Sequence, residues 1–227
     1  MPDQWKIEYP IQGFKLNMRL GLTPFRHVGL FPEQAVNWEY IYHSVKRIPL
    51  ARPRVLNLFA YTGAASLAAR AAGADVVHVE ALKQLISWTR ENMEMNGLDQ
   101  IRWMLDDAVK FVKREVRRGN RYHGVILDPP SYGRGPNGEK WILEDGIMDL
   151  LKDIHPLLDP DNRFLVLNLY SKGTSPMITE NLADCAFGKN IPKECGELFI
   201  KDHAGRKLPY GSLLRFCKIS SERKNNN

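Results

Sequence analysis

The chain has 227 residues, 44% apolar and 26% charged, and a formal net charge of +6. That length supports one well-cored domain. No apolar run approaches the roughly 18 to 20 residues that cross a bilayer, and Cys185, Cys195 and Cys217 lack the C-x-x-C spacing of a zinc or redox pair, so a membrane helix and a disulfide framework are both excluded.

The modest basic excess permits a polyanionic partner without requiring one. Met1 to Gln12 mixes polar and aromatic residues around Pro2 and Pro10, unlike a secretory leader, and a cytoplasmic protein is expected. Trp5 to Leu20 is strand-like. Phe14 to Leu20 alternates apolar and polar residues at every step, and Pro10 to Gly13 reads as a turn, so an N-terminal β-hairpin is predicted. Gly21 to Pro32 reads as a loop. Ala35, Trp38, Ile41, Tyr42 and Val45 then recur at helical spacing until Pro49 ends the pattern.

The stretch Arg54 to Ser66, R-V-L-N-L-F-A-Y-T-G-A-A-S, reads as a buried strand, a tight turn and a helix of small residues. Strands come next at Asp75 to Glu80, Ile101 to Leu105, Gly124 to Leu127 and Phe164 to Leu169. Helices lie between them at Leu82 to Met95, from Asp106 or Asp107 to about Arg118, and within Leu143 to Leu157. Met177 to Phe187 is helical, and two last strands fit Glu197 to Ile200 and Ser212 to Ile219 across a turn at Gly205 to Pro209. Alternating strands and helices of this length imply right-handed βαβ units. The expected fold is α/β and Rossmann-like, a seven-stranded, mainly parallel sheet with helices on both faces plus the N-terminal hairpin. The predicted division is hairpin and loop at 1–32, the catalytic unit at 33–219 and a disordered polar tail at 220–227.

Ligands on such sheets bind at the carboxyl ends of the strands. Gly63 opens the first of these ends, where a missing Cβ lets backbone approach a ligand. Glu80 closes the next strand and suits ribose hydroxyls. Asp107 suits an adenine amino group or a helix N-cap. The segment Asp128-Pro129-Pro130-Ser131-Tyr132 is the most specific short motif. Two prolines remove N–H donors and leave a rigid ledge of carbonyls beside a carboxylate, able to hold an amino group. Tyr132 offers a face for a stacked base.

These motifs, V-L-N-L-F-A-Y-T-G-A-A-S, H-V-E-A, L-D-D-A and L-D-P-P-S-Y, resemble in order and spacing those of class I S-adenosylmethionine-dependent methyltransferases. The F-x-Y-T-G form followed by D-P-P most resembles the bacterial 23S ribosomal RNA enzymes of the cytosine-5 and guanine-7 type. The resemblance spans about Gly29 to Ile219. It implies S-adenosylmethionine as cofactor, bound by Asn57, Phe59, Tyr61, Thr62 and Gly63, by Glu80 with Ala81, by Asp106, Asp107 and Ala108, and by Asp128. Phe31 and Gln34 belong to a loop, F-P-E-Q-A-V-N-W, that in such enzymes lies across the cofactor. The reacting end falls to Asp128, Pro129, Pro130 and Tyr132.

Three departures stand out. Asn57 occupies a position that is often acidic, so the methionine ammonium would fall to Asp128 or a backbone carbonyl. Where such enzymes often carry an accessory RNA-binding domain ahead of the catalytic one, only the Trp5 to Leu20 hairpin is expected here. The fifth strand ends Leu167-Asn168-Leu169-Tyr170-Ser171, where the cytosine-5 enzymes carry a nucleophilic cysteine. Carbon 5 of cytosine needs covalent activation by a thiolate, whereas a nitrogen needs only orientation and desolvation. A nitrogen of an RNA base, ribosomal in the nearest resemblance, is therefore the favoured acceptor. A small molecule or protein acceptor is the alternative, and a non-catalytic RNA-binding module is a third reading that the intact D-P-P-S-Y argues against. Arg134, Lys140, Lys172, Arg206 and Lys207 are the candidate phosphate contacts. The basic stripe from Lys110 to Arg121 reads as the solvated face of an amphipathic helix. The histidines show no ligand spacing, and no metal is assigned.

Overall fold

The computed structural model describes residues 3–22, 27–171 and 173–220. Strands β1 (Gln4–Ile11) and β2 (Phe14–Gly21) form an antiparallel hairpin. Pro10 lies inside β1 and not in the predicted turn. A two-stranded sheet leaves one side of β1 unpaired, so a residue without an N–H is accommodated there. A short 3₁₀ turn, Pro32–Gln34, leads into α1 (Ala35–Arg47). The chain continues through β3 (Arg54–Leu58), α2 (Ala64–Ala71), β4 (Asp75–Glu80), α3 (Lys83–Met95), β5 (Ile101–Leu105), α4 (Ala108–Arg117) and β6 (Gly124–Leu127). A small hairpin, β7 (Tyr132–Arg134) and β8 (Lys140–Ile142), precedes α5 (Leu143–Ile154), β9 (Arg163–Leu169) and α6 (Pro176–Phe187). The last two strands are β10 (Glu194–Lys201) and β11 (Lys207–Lys218).

Seven strands form the central sheet in the order β10-β11-β9-β6-β3-β4-β5. The five from β9 to β5 are parallel, and β10 and β11 run antiparallel at one edge. Strand order reverses between β3 and β6, which opens the crevice expected of this topology at their carboxyl ends. Val55 and Val76 face one helical layer with α1 and α2, while Leu56, Leu58, Val77 and Val79 face the other with α4, α5 and α6. Because both faces are covered, β3 reads as a continuous apolar run instead of an alternation.

The N-terminal hairpin shares this core. Leu16, Met18 and Leu20 pack in one cluster with Ile41, Ala68 and Val76. Helix α3 stitches β2 in place: Asn96 and Asn92 accept from the backbone amides of Asn17 and Arg19 at 2.8 and 2.9 Å, and the Trp88 indole donates to the Arg19 carbonyl at 3.0 Å. The predicted tail from residue 221 onward lies outside the described residues.

Candidate active site

The turn after β3 is held in an uncommon conformation. Phe59 and Tyr61 both have positive φ, +55° and +51°, and Gly63 caps α2 at +89°. Two side-chain-bearing residues in this region cost on the order of 1–3 kcal/mol each, and surrounding bonds over-determine the turn. The Ala60 amide donates to the Val79 carbonyl at 3.1 Å, the Tyr61 amide to Glu80 Oε2 at 2.9 Å, and the Thr62 hydroxyl to the Gly29 carbonyl at 2.6 Å. Asn92 Nδ2 donates to the Thr62 carbonyl at 3.1 Å from the α3 side. Glycine at 63 has a packing reason as well, beside the ligand approach expected from sequence. A Cβ there would lie 2.1 Å from Thr89 Cγ2, so packing of α3 and the left-handed backbone both exclude a side chain.

Glu80 is 8% exposed and accepts from two backbone amides, Tyr61 at 2.9 Å and Leu82 at 3.0 Å. Burial raises its carboxyl pKa and these amide bonds oppose the rise. Asp107 caps α4, accepting from the Lys110 amide at 2.8 Å, and Asp106 is ion-paired with Arg114. Both readings of Asp107 are compatible, since a carboxylate capping with one oxygen keeps acceptor capacity on the other.

These strand ends open into a cleft of about 830 Å³. Phe59, Glu80, Ala81, Asp106, Asp107 and Ala108 line one side, and Asp128, Pro129, Pro130 and Tyr132 the other. A narrower arm continues under the turn past Asn57, Thr62, Gly63 and Gln34, and Phe31, Phe59, Tyr61 and Asp128 border both parts. No cysteine lines either arm among the described residues.

Asp128 stands where the arms meet. Its Oδ2 accepts from Gln34 Nε2 at 3.2 Å, and its Oδ1 is out of solvent contact with no partner among the described residues. Gln34 is the hub of a buried amide cluster: it also bonds the Tyr170 hydroxyl, and its Oε1 accepts from Asn37 and Asn168 at 2.8 and 3.1 Å. Burial pushes the Asp128 carboxyl up to about 7, the nearby Glu33 carboxylate adds to this, and a hydrogen bond from Tyr170 opposes it. The Tyr170 hydroxyl is held protonated, well above the phenol range, by burial and by the Asp128 charge.

The proline ledge differs from expectation in one respect. The Pro130 carbonyl accepts from the Trp141 indole at 2.7 Å and that of Ser131 from the Leu143 amide at 3.0 Å. The ledge's free acceptors therefore narrow to Asp128 and the carbonyls before Pro130. Tyr132 is 52% exposed at the cleft mouth, so it is not a core residue.

Sequence reasoning misses several cleft residues. Glu33 and Trp141 give no signal beyond an acidic or apolar letter in a loop, and Tyr170 stands out only as the place of an absent cysteine. Tyr210 is reached through an irregularity: Leu198 pairs with Gly211 and Phe199 with Pro209, so Tyr210 is the extra residue of a β-bulge. Bulges re-aim side chains, and this one turns Tyr210 to the cleft, 41% exposed. A Cβ on Gly211, whose φ is +118°, would lie 2.7 Å from the Leu169 carbonyl oxygen.

Of the candidate phosphate contacts, Arg134 lines the cleft and Lys140 lies opposite it in the β7–β8 ladder. Strand β11 pairs with β9 only from Ser212 onward, so its first residues project past the carboxyl edge. Lys207 is there, its ammonium 4.5 Å from the Phe199 ring centroid, and Arg206 is paired with Asp202 at 2.7 Å. Lys172 lies outside the described residues. On α4 the stripe is partly neutralised, Lys110 by Glu139 at 2.7 Å and Arg118 by Glu115 at 2.8 Å.

A family model described as S-adenosylmethionine-dependent methyltransferase matches residues 4–184. The crystal structure of an S-adenosylmethionine-dependent methyltransferase from Agrobacterium tumefaciens is 38% identical, covers 96% of this chain and 71% of its own, and superposes with a TM-score of 0.87. Ribosomal RNA large subunit methyltransferase K/L of Shewanella frigidimarina is 27% identical over 170 residues, 73% of this chain and 23% of that protein. The chain thus spans about a quarter of the length of the curated relatives it matches. A T. thermophilus 16S ribosomal RNA methyltransferase, 18% identical with a TM-score of 0.60 over 96% of this chain and 51% of its own, shares the fold. The match over most of the chain, together with the strand-end cleft, places this protein in the S-adenosylmethionine-dependent methyltransferase family.

Proposed function

We propose that the chain methylates a nitrogen of a nucleobase in RNA, ribosomal RNA in the first instance, with residues 33–219 as the catalytic unit, 1–32 as its flank and the cytoplasm as its place of action. The observation that carries this is the meeting of two arms at Asp128, whose Oδ1 is buried with no partner among the described residues. An unpartnered carboxylate oxygen in a largely apolar cleft is costly unless a ligand donates to it, and the cofactor fits the rest. Glu80 would hold the ribose hydroxyls, Ala81, Asp106, Asp107 and Ala108 the adenine, and Phe31, Gln34, Asn57, Phe59 and Tyr61 to Gly63 the amino-acid end. S-adenosylmethionine supplies an electrophilic methyl group on a sulfonium centre.

The chain's own residues then have to bind, orient and dry the acceptor. Asp128 and the Pro129 carbonyl would accept from an N–H of the base, fixing its approach, and the elevated pKa of Asp128 lets it take a proton near neutrality. Gln34 and Tyr170 hold the carboxylate in place. Tyr132 and Tyr210 would stack on the base at the cleft mouth, and Arg134, Lys140, Lys172, Arg206 and Lys207 would contact phosphates. The absence of a cysteine from the lining of the described cleft supports nitrogen over cytosine carbon 5. The rRNA naming of relatives such as that of S. frigidimarina supports RNA as the acceptor class. The test is incubation with radiolabelled S-adenosylmethionine and RNA from cells lacking the gene, followed by nucleoside mapping. Label in an N-methylated nucleoside is expected; label confined to protein, or at cytosine carbon 5, would overturn the reading.

A further inference from the structure

Beneath the narrow arm Asn57 heads a buried polar chain whose other members, Ser66 and His78, the catalytic proposal does not use. Asn57 and His78 are register partners on β3 and β4, and their shared parity turns both toward α2, which supplies Ser66. Ser66 Oγ is 2.9 Å from Asn57 Nδ2 and 3.0 Å from His78 Nδ1, and the three residues are 0 to 2% exposed.

The proton inventory of this chain fixes its direction. An amide nitrogen can only donate, so Ser66 accepts from Asn57; the hydroxyl oxygen has a second lone pair, but the Ser66 proton finds no acceptor among the described residues other than His78 Nδ1 and goes there. Nδ1 of His78 is then the accepting nitrogen, in the tautomer that carries the ring proton on Nε2. Full burial holds the imidazole neutral, its pKa pushed down to about 3, so no protonation reverses the chain near neutrality. The Nε2 atom has no hydrogen-bond partner among the described residues, and the ring meets Trp103 edge-on at 5.1 Å between centroids. A polar group buried at such cost calls for a compensating role. With Nδ2 of Asn57 committed to Ser66, the atom the side chain has left for the arm is its carbonyl oxygen, Oδ1. Among the described residues lining that arm Asp128 is the only charged one, and it borders the acceptor cleft as well.

We propose that His78, acting through Ser66, is a positioning residue that keeps the Asn57 amide oxygen turned into the narrow arm, where it serves as a neutral acceptor for the ammonium group of the cofactor's amino-acid end. The proposal rests on the S-adenosylmethionine reading of the cleft. It replaces the two acceptors expected from sequence, Asp128 and a backbone carbonyl, with a third. It also accounts for an amide at a position where a carboxylate would need no such chain: a carboxylate accepts from either oxygen, whereas an amide must be held the right way round.

The experiment measures binding of S-adenosylhomocysteine and of 5′-methylthioadenosine, which lacks the amino-acid end, to the intact protein by calorimetry. Ser66→Ala removes one oxygen and frees the amide to flip. It is expected to weaken S-adenosylhomocysteine by about tenfold, the worth of a hydrogen bond to a charged group, and to leave 5′-methylthioadenosine within twofold. His78→Phe should show the same selective loss, because the Ser66 hydroxyl then turns to donate to Asn57. Adding Asn57→Asp to Ser66→Ala should restore S-adenosylhomocysteine binding to within about threefold of the parent, since a carboxylate has no wrong orientation. Equal loss for both ligands, no loss in Ser66→Ala, or no rescue by Asn57→Asp would each overturn the proposal. Failure of the parent protein to bind S-adenosylhomocysteine at all would instead overturn the cofactor reading on which it stands.

Discussion

Asp128 combines a function with a stability cost, and the two can be separated by pH. Its folded pKa of about 7 lies above the ordinary value of 3.8, so between those values the folded protein keeps a proton that the unfolded chain has lost. Folding stability contributed by this group therefore falls as pH rises from about 4 to about 7, and the full cost is present at pH 8. Asp128→Asn removes the charge. It is expected to raise the thermal midpoint by at least about 3 °C more at pH 8 than at pH 5, since 1 kcal/mol moves a chain of this size by roughly 2–4 °C, while methyl transfer falls by a factor of about 100 or more. Scanning calorimetry at the two pH values, with transfer assays alongside, checks both halves. A variant less stable at pH 8 than the parent would show that Asp128 is paired in solution and not bare. Asp128 was legible from the D-P-P letters, because two successive prolines at a strand end remove N–H donors and leave a carboxylate beside a rigid ledge of carbonyls. Its partners Gln34 and Tyr170 come from residues 94 and 42 positions away, and no local pattern could have paired them with it.

At the level of elements, the parallel strands were readable because each is a short apolar run, and β3, β5 and β6 are followed by a Gly, Asp or Asp-Pro break. The outer half of β11 was not. Lys207 to Pro209 belongs to the Gly205 to Pro209 stretch that reads as a turn, and Gly211 lies just beyond it, yet all of Lys207 to Gly211 is strand. Only β10 pairs with this half, since β9 ends opposite Ser212, so the missing proline N–H leaves no ladder position empty. Strands β7 and β8 have three residues each, too few for an alternation to register. These two hairpins flank the cleft mouth and carry Tyr132 and Tyr210, one on each. Replacement of either tyrosine by alanine should weaken a single-stranded RNA substrate by about tenfold, in line with ~1–3 kcal/mol per stacked base, and leave S-adenosylhomocysteine binding unchanged. Phenylalanine at the same positions should retain RNA affinity, because stacking needs the ring and not the hydroxyl. Fluorescence anisotropy with labelled RNA reads the difference, and equal affinity in the alanine and parent proteins would remove these hairpins from the substrate site.

For the molecule as a whole, the +6 net charge says less than where the cations stand relative to the sheet. Helix α4 begins at the cleft with Asp107 and runs away from it; ten helical residues span about 15 Å, so Arg117 at its far end lies toward the opposite edge. Lys110, Arg114 and Arg118 are also paired with Glu139, Asp106 and Glu115. By contrast Arg134 lines the cleft and Lys207 stands on the segment of β11 that projects past the carboxyl edge. An extended RNA strand entering at Tyr132 and Tyr210 would pass the second group and miss the first. Each phosphate neutralised on a single strand contributes about 0.7 to the slope of log affinity against log salt. Arg134→Gln with Lys207→Gln should therefore lower that slope by about 1.4 and reduce affinity at low salt. The triple replacement Lys113→Gln, Arg117→Gln and Arg121→Gln removes more charge, yet should leave slope and affinity within about twofold. If total charge governed binding, the triple variant would lose more than the double one, and a salt titration of both against one RNA separates a directed path across the carboxyl edge from a diffuse attraction.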